Sequence, residues 1–428
     1  MSSSFASPLS AIALIVRRSL RQHALSSLVT IVSVALAAGL LMSVFSIKQQ
    51  THNAFTSGAT GFDAVLGARG SQLQLVLNSV FHLETSPGNI PYSSYLAIKR
   101  DPRVRWAIPY AVGDNYKGYR VVGTTEEFYD RYTYGDEQKL AFEGSGRMFR
   151  EAYGEAVVGS MAAQATGLTY GSTFNTFHGL NFDEKAQHST EFIVTGILKP
   201  TGTPIDRVVW IPLEGYYRMG GHEPRDKKTG KIIEIKPGVA IPDEYKEVSA
   251  VMLKLRSGGS GASLDVEMNQ QGNIRTLAWP IGKVMADLFY KIAWANQVLE
   301  FVAYLVAIVA GAAILASIYN TMNERRREFA ILRALGAKRS VVFSAIVAES
   351  ATIAALGSLL GYVVYGVLIS VAASIVRAKA GVVLDVTAYH EALRLTPIGM
   401  TLLGALVGIV PAWKAYSTDV ATNLVPTS

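Results

Sequence analysis

The sequence predicts a membrane protein with four transmembrane α-helices and a large mixed α+β extracytoplasmic domain between spans 1 and 2. Three observations carry this prediction. Long apolar runs with almost no charge occur near the start of the chain and again, three times, in its last third. Basic residues gather beside those runs rather than across the chain. Between the first run and the others, residues 48–290 show short β-branched and aromatic stretches punctuated by turn residues, the texture of a water-soluble mixed domain.

Composition agrees with a chain partly in lipid. Of 428 residues, 50% are hydrophobic and only 17% charged, against about 25% charged in soluble domains, and the mean hydropathy is +0.24. The net charge of +7 reflects a positive-inside distribution, so no nucleic-acid partner is expected. The chain has no cysteine, which excludes disulfides, thiolate metal sites and cysteine nucleophiles.

Taken in order, residues 1–23 form a cytoplasmic amphipathic segment with Arg17, Arg18 and Arg21 and no acid up to residue 22. Residues 24–47 carry no charge and are long enough for about 30 Å of hydrocarbon, longer than the apolar core of a signal peptide. The three preceding arginines direct residue 48 outward. Residues 48–280 form the outer domain, with strands at Tyr119–Val122, Glu191–Leu198, Arg207–Ile211 and Ala250–Leu255. Short helices are expected at Ser93–Arg100 and Gly159–Thr166, an exposed hairpin or loop at His222–Lys236, and a flexible polar stretch at Arg256–Ala262. Residues 62–92 have no assignable role. Residues 281–320 read as one rod, a stalk continuing into span 2, about 60 Å long at 1.5 Å per residue. Residues 321–340 are a cytoplasmic connector and 341–376 a third span, too long for one perpendicular crossing and expected as a tilted helix followed by a bend or interfacial piece. A short outer loop at 377–395, a fourth span at 396–415 and a cytoplasmic tail at 416–428 complete the order.

The connector Asn323–Ser340 carries more than topological charge. Phe329 with Leu332, and Ile331 with Leu335, make a narrow apolar stripe among Arg325, Arg326, Arg327, Arg333, Lys338 and Arg339, and Gly336 stands where a left-handed residue ends a helix. A capped amphipathic helix in a cytoplasmic loop reads as a docking element, with Phe329, Leu332 and Leu335 as the groove-facing side chains.

Within the spans, Glu349 is the one acid deep in an apolar run. A charge there costs about 2.5–3.5 kcal/mol on insertion scales. It serves either as a subunit contact or water-accessible hinge, or as a hydrogen-bonded glutamate packing the bundle. Gly357 with Gly361 and Gly404 with Gly408 form two GxxxG pairs suited to close helix contact, including contact with a second copy. No P-loop, H-E-x-x-H, G-x-S-x-G or C-x-x-C string occurs, so no catalytic residue is assigned. The seven histidines are scattered; only His178 and His188 are moderately close, and they read as surface residues with no metal site.

Several segments resemble one family. RRREFAILRALGAKRSVVFSAIVAESATIAALGSLLGYVVYG is similar to the membrane block of the MacB/FtsX-like ABC permeases (type VII), through Arg327-Glu328, Leu335-Gly336-Ala337, Glu349, and Gly357 with Gly361. The closing GIVPAWKAYSTDVATNL resembles the family's Pro-Ala-x-x-Ala segment at Pro411, Ala412 and Ala415, and IALIVRRSLRQHALSSLVTIVSVALAAG its first helix and span. EAVVGSMAAQATGLTYGSTF and EFIVTGILKPTGTPIDRVVWIPL resemble the MacB-type outer core.

The resemblance implies a non-catalytic permease subunit in a bacterial inner membrane, without a fused ATPase domain, with both termini cytoplasmic and the large domain periplasmic. It implies pairing with a second copy and with two copies of a separate ABC ATPase. ATP and Mg would then act only through that ATPase, with no cofactor bound by this chain. Residues Arg325, Arg326, Arg327, Glu328, Phe329, Leu332, Arg333, Leu335 and Gly336 would form the ATPase-coupling helix, and Glu349 and the four glycines the intramembrane packing. The implied work is to convert ATP-driven motion into movement of the periplasmic domain, for export or lipid, lipoprotein or peptide handling. The alternative is an FtsX-like signalling subunit that activates a periplasmic partner without transport. A periplasmic adaptor or substrate and membrane lipid are the remaining expected partners.

Overall fold

Apolar periodicity and its interruptions set the helices of the computed structural model, which describes residues 8–56, 61–151, 154–180, 182–226, 230–233, 236, 239–334 and 336–417. The helices that matter here are α1 (Pro8–Gln22), α2 (Ala24–Thr56), α3 (Ile281–Lys291), α4 (Ala293–Glu324), α5 (Arg326–Ala334), α6 (Arg339–Ala380) and α7 (Glu391–Ser417). Of these, α2, α4, α6 and α7 are long and apolar enough to cross a membrane. The chain divides into a helical unit (Met1–Gln50, Ile292–Ser374, Asp385–Ser428) and a second unit (Thr51–Lys291, Ile375–Leu384).

In the helical unit, Val34, Ala38, Met42, Ala303, Ile314, Ile353 and Ala412 are buried among the helices. Larger residues such as Ile308 and Val309 on α4 and Leu359, Val363 and Val367 on α6 point outward. This arrangement is inverted relative to a water-soluble bundle and fits hydrocarbon around the unit. Small residues let the backbones approach. A Cβ on Gly357 would lie 2.6 Å from the Val34 Cβ and 2.8 Å from the Ile31 carbonyl of α2. Three buried hydroxyls are satisfied within their own helices: Ser43, Ser350 and Ser358 each donate to the carbonyl four residues back.

Two expected helices differ in outline. The rod expected over 281–320 is broken at Ile292, whose φ of −96° and ψ of 7° leave the helical ladder. The next turn is tightened by an Ala295 N–H to Ile292 O bond of 3.0 Å. The third span continues as unbroken helix past residue 376. Arg339–Ala380 is one helix of 42 residues, about 63 Å at 1.5 Å per residue, ended by Gly381 at φ +72°.

In the second unit, nine strands form one sheet: β1 (Ala64–Ala68), β2 (Val104–Tyr116), β3 (Tyr119–Thr124), β4 (Glu155–Val158), β5 (Thr173–His178), β6 (Gln187–Ile197), β7 (Val208–Pro212), β8 (Ala250–Leu255) and β9 (Arg275–Ala278). Their order is β9-β1-β8-β2-β3-β7-β4-β6-β5, and β5 pairs back onto β2. The long strand β2 makes this possible. Its first half pairs with β8 and its second half with β3 and β5, with a register shift between Val112 and Asp114. Six strands thus close a ring, which removes the sheet edges there. Both faces are covered, one by a core including Phe192 and Ile211, the other by a core around Trp210, which stacks on Phe128 at 4.4 Å. The stretch 256–262, expected to be flexible, opens a helix at Gly258, capped by Ser257, whose Oγ accepts from the Ser260 N–H at 3.2 Å. Its glycines mask the helix by poor propensity, yet Gly261 is needed because the Trp279 indole lies where a Cβ would be. Within 62–92 lie β1 and a Ser71-capped helix, Gln72–Ser79.

Candidate functional site

The connector forms the helix α5, ended as its sequence requires. Gly336 takes φ +100°. Its N–H bonds to Arg333 O and the Ala337 N–H to Leu332 O, both at 3.0 Å, the paired bonds of a Schellman cap.

At the junction of α4 and α5, Arg325 turns inward rather than outward. It is 5% exposed. Its Nη1 donates to Ser19 Oγ of α1 at 2.6 Å and lies 3.6 Å from Glu349 Oε2 of α6, while its Nε donates to Glu328 Oε2 at 3.0 Å. Ser19 also donates to Glu349. Gln22 Nε2 reaches Glu328 Oε1 at 3.3 Å, and His23 lies 3.3 Å from Glu324. The Arg325 guanidinium holds Glu328 below the usual carboxylate range. One buried cation with two carboxylates therefore fastens α1, the α4–α5 junction and α6 to each other. Glu349 is thus the counter-ion of Arg325 within its own chain, which favours the packing reading over a subunit contact.

This anchoring corrects the expected docking face. Phe329 is only 8% exposed, packs in the helical unit's own core, and lies 4.9 Å from the Arg325 guanidinium; Leu332 packs against the same core. Arg333 is half-buried. The outward residues are Arg327, Ile331 (43% exposed) and Ala334, spaced as one helical face, with Glu328 beside them. Leu335 and the Arg326 side chain fall outside the described residues.

The glycine pairs also act within the chain. Gly357 and Gly361 of α6 meet Val34, Ala35 and Ala38 of α2, while Gly404 and Gly408 of α7 meet Ala354, Ser350 and Val347 of α6. These faces are occupied by helices of the same chain.

The histidines hold a feature that linear spacing hid. His178, His188 and His222 converge on Asp114 in the second unit, their ligand-capable atoms all within 4.8 Å of one another. The sequence could not show this because β2, β5, β6 and the turn after Leu213–Tyr217 bring together residues up to 108 positions apart.

Comparison with known proteins agrees with this architecture. Residues 27–270 match the model of the MacB-like periplasmic core domain, and residues 300–420 that of the FtsX-like permease C-terminal domain. The fold and the matches together define a multi-pass membrane protein of the ABC permease class. The chain belongs to the MacB/FtsX-like permease family. Among curated proteins it is 28% identical over 121 residues to the macrolide export ATP-binding/permease protein MacB of Nitrobacter winogradskyi, covering 28% of this chain and 18% of that protein. It is 26% identical over 207 residues to the ABC transporter permease YtrF of Bacillus subtilis, covering 44% of this chain and 47% of that protein. The chain thus spans less than half the length of these relatives. The periplasmic region of MacB from Actinobacillus actinomycetemcomitans aligns with 54% of this chain and 94% of that one, at a TM-score of 0.31 and 11% identity.

Proposed function

We propose that this chain is the membrane subunit of an ATP-driven complex in a bacterial inner membrane, receiving force from a separate cytoplasmic ABC ATPase through α5 and moving its periplasmic domain. The observation that carries the reading is α5 itself. It is a capped nine-residue helix tied at its start to α1 and α6 by the Arg325–Glu349–Ser19 network, with the face Arg327–Ile331–Ala334 left outward. A docking element needs both properties, since a loose helix would absorb a push rather than pass it on. Two copies of the chain and two of the ATPase complete the assembly in this reading, and ATP and Mg act only in the ATPase.

The test is ATP hydrolysis by the complex purified through a tag on this chain. An Arg327→Glu/Ile331→Glu variant is expected to insert and fold normally but to lose the P-loop ATPase and its hydrolysis by at least tenfold. Retention of full activity by that variant, or a wild-type preparation carrying no P-loop ATPase, refutes the reading.

A further inference from the structure

The second unit contains a constellation that the coupling role does not use. Asp114 sits on β2 just after the register shift at Val112, where a bulge re-aims the strand's side chains. Directly opposite it on β5 is His178. His188 lies near the start of β6, the next strand, and His222 in the turn that follows Leu213–Tyr217. Asp114 is fully buried at its side chain, His188 is 7% and His222 11% exposed, and His178 is 59% exposed.

From these residues we propose a binding site for zinc or another late first-row divalent ion, ligated by Asp114, His178, His188 and His222. Three imidazoles with one carboxylate are a borderline-soft donor set of the kind such ions select. Ligands at about 2.0–2.1 Å around a tetrahedral ion lie about 3.3–3.5 Å apart. The carboxylate is already 3.3 Å from His178 Nδ1, 3.2 Å from His188 Nε2 and 2.9 Å from His222 Nε2.

Hydrogen bonding alone does not explain the cluster. His188 Nε2 and Asp114 Oδ2 are close but misaligned, and neither atom has a hydrogen-bond partner among the described residues although both are buried. Leaving such a pair buried and unsatisfied is costly, and a shared cation relieves it. The surroundings hold the ligands in place. Asn115 Nδ2 donates to the carbonyls of Gly179 at 2.9 Å and Phe177 at 3.4 Å, pinning the strand end that carries His178, and the Tyr216 ring packs 4.5 Å from the His222 ring. His222 lines a cleft of about 350 Å³ with Glu223, Arg225, Asp226 and Glu247, a lining in which acids outnumber the one arginine. The site lies wholly in the second unit and stands whether or not α5 docks an ATPase.

The test uses the full chain in detergent, stripped with chelator and reloaded with zinc chloride. Wild type is expected to retain one zinc per chain after desalting, while His188→Ala and Asp114→Asn bind about 100-fold more weakly or not at all; His390→Ala, outside the cluster, binds as wild type. Cobalt(II) substituted into wild type is expected to give the intense visible bands of a four-coordinate site, a readout that needs no variant. Wild type without stoichiometric zinc, zinc bound equally by both cluster variants, or a six-coordinate cobalt spectrum overturns the proposal.

Discussion

Two buried polar clusters, one in each unit, differ in how far their polar atoms are satisfied. In the helical unit, Arg325 meets Glu349, Glu328 and Ser19, so the cation has its anions and its Nε and Nη1 have acceptors. In the second unit, Asp114 meets three imidazoles, and two of the buried atoms have no hydrogen-bond partner among the described residues. The first cluster pairs its buried cation with carboxylates of this chain and works as a fastening. The second leaves Asp114 Oδ2 and His188 Nε2 without hydrogen-bond partners among the described residues, the condition that ligand binding resolves. Burial alone would not separate them; the state of the last polar atoms does.

The largest expected effect breaks the fastening. Glu349→Ala strands a buried guanidinium and should lower stability by about 3–5 kcal/mol, the cost of removing one partner of a buried pair. Replacing both partners, Arg325→Met with Glu349→Leu, should recover most of it, measured as thermal unfolding of the full chain in detergent. If the double variant is no better than the single, Arg325 and Glu349 are not a balanced pair.

Next comes the contrast between the two faces of α5. Phe329→Ala should cost about 3 kcal/mol, as for a core phenylalanine, while Ile331→Ala should leave stability within about 0.5 kcal/mol. Equal unfolding temperatures for the two variants would remove the inward and outward assignment.

Helix approach in the helical unit gives a third, smaller test. Gly357→Ala should destabilise by about 1–3 kcal/mol, because the new Cβ collides with Val34 and the Ile31 carbonyl. Gly366→Ala on the same helix meets nothing within 4 Å and should stabilise by about 0.8 kcal/mol through helix propensity. The order of the two melting temperatures is the measurement.

The smallest effect concerns a rim ion pair. Arg147 donates to both oxygens of Glu155, at 2.7 and 2.6 Å, and this holds the Glu155 carboxyl below its ordinary value of 4.5. A carboxylate with a depressed folded value adds stability that is complete above its unfolded value and lost as the pH falls through the folded one. The loss should therefore begin below pH 4.5, and Arg147→Ala should make it shallower in melts followed down the acid range. An unchanged acid profile in Arg147→Ala would show that the pair adds nothing.

Much of this was legible in the sequence, for physical reasons that can be stated residue by residue. The uncharged run from Ala24, the Gly336 stop and the strand at Ala250–Leu255 follow from hydropathy, backbone freedom and β-branching, which are local properties. What the sequence missed was long-range. Strand β2 carries Pro109, Gly113, Asp114 and Asn115, all poor strand formers, and is stabilised by partners on both sides. Arg325 and Phe329 looked like surface residues because neither Ser19 nor Glu349 is near them in the chain. His222 looked like part of an exposed loop, yet it turns in towards Asp114.

The most direct test of the coupling account is site-specific photocrosslinking from α5 in the intact membrane. A photoreactive residue at position 331 should crosslink to a P-loop ATPase, while the same group at position 332, facing the chain's own core, should give only intrachain products. An ATPase adduct at 332 with none at 331, or none at either, contradicts the account.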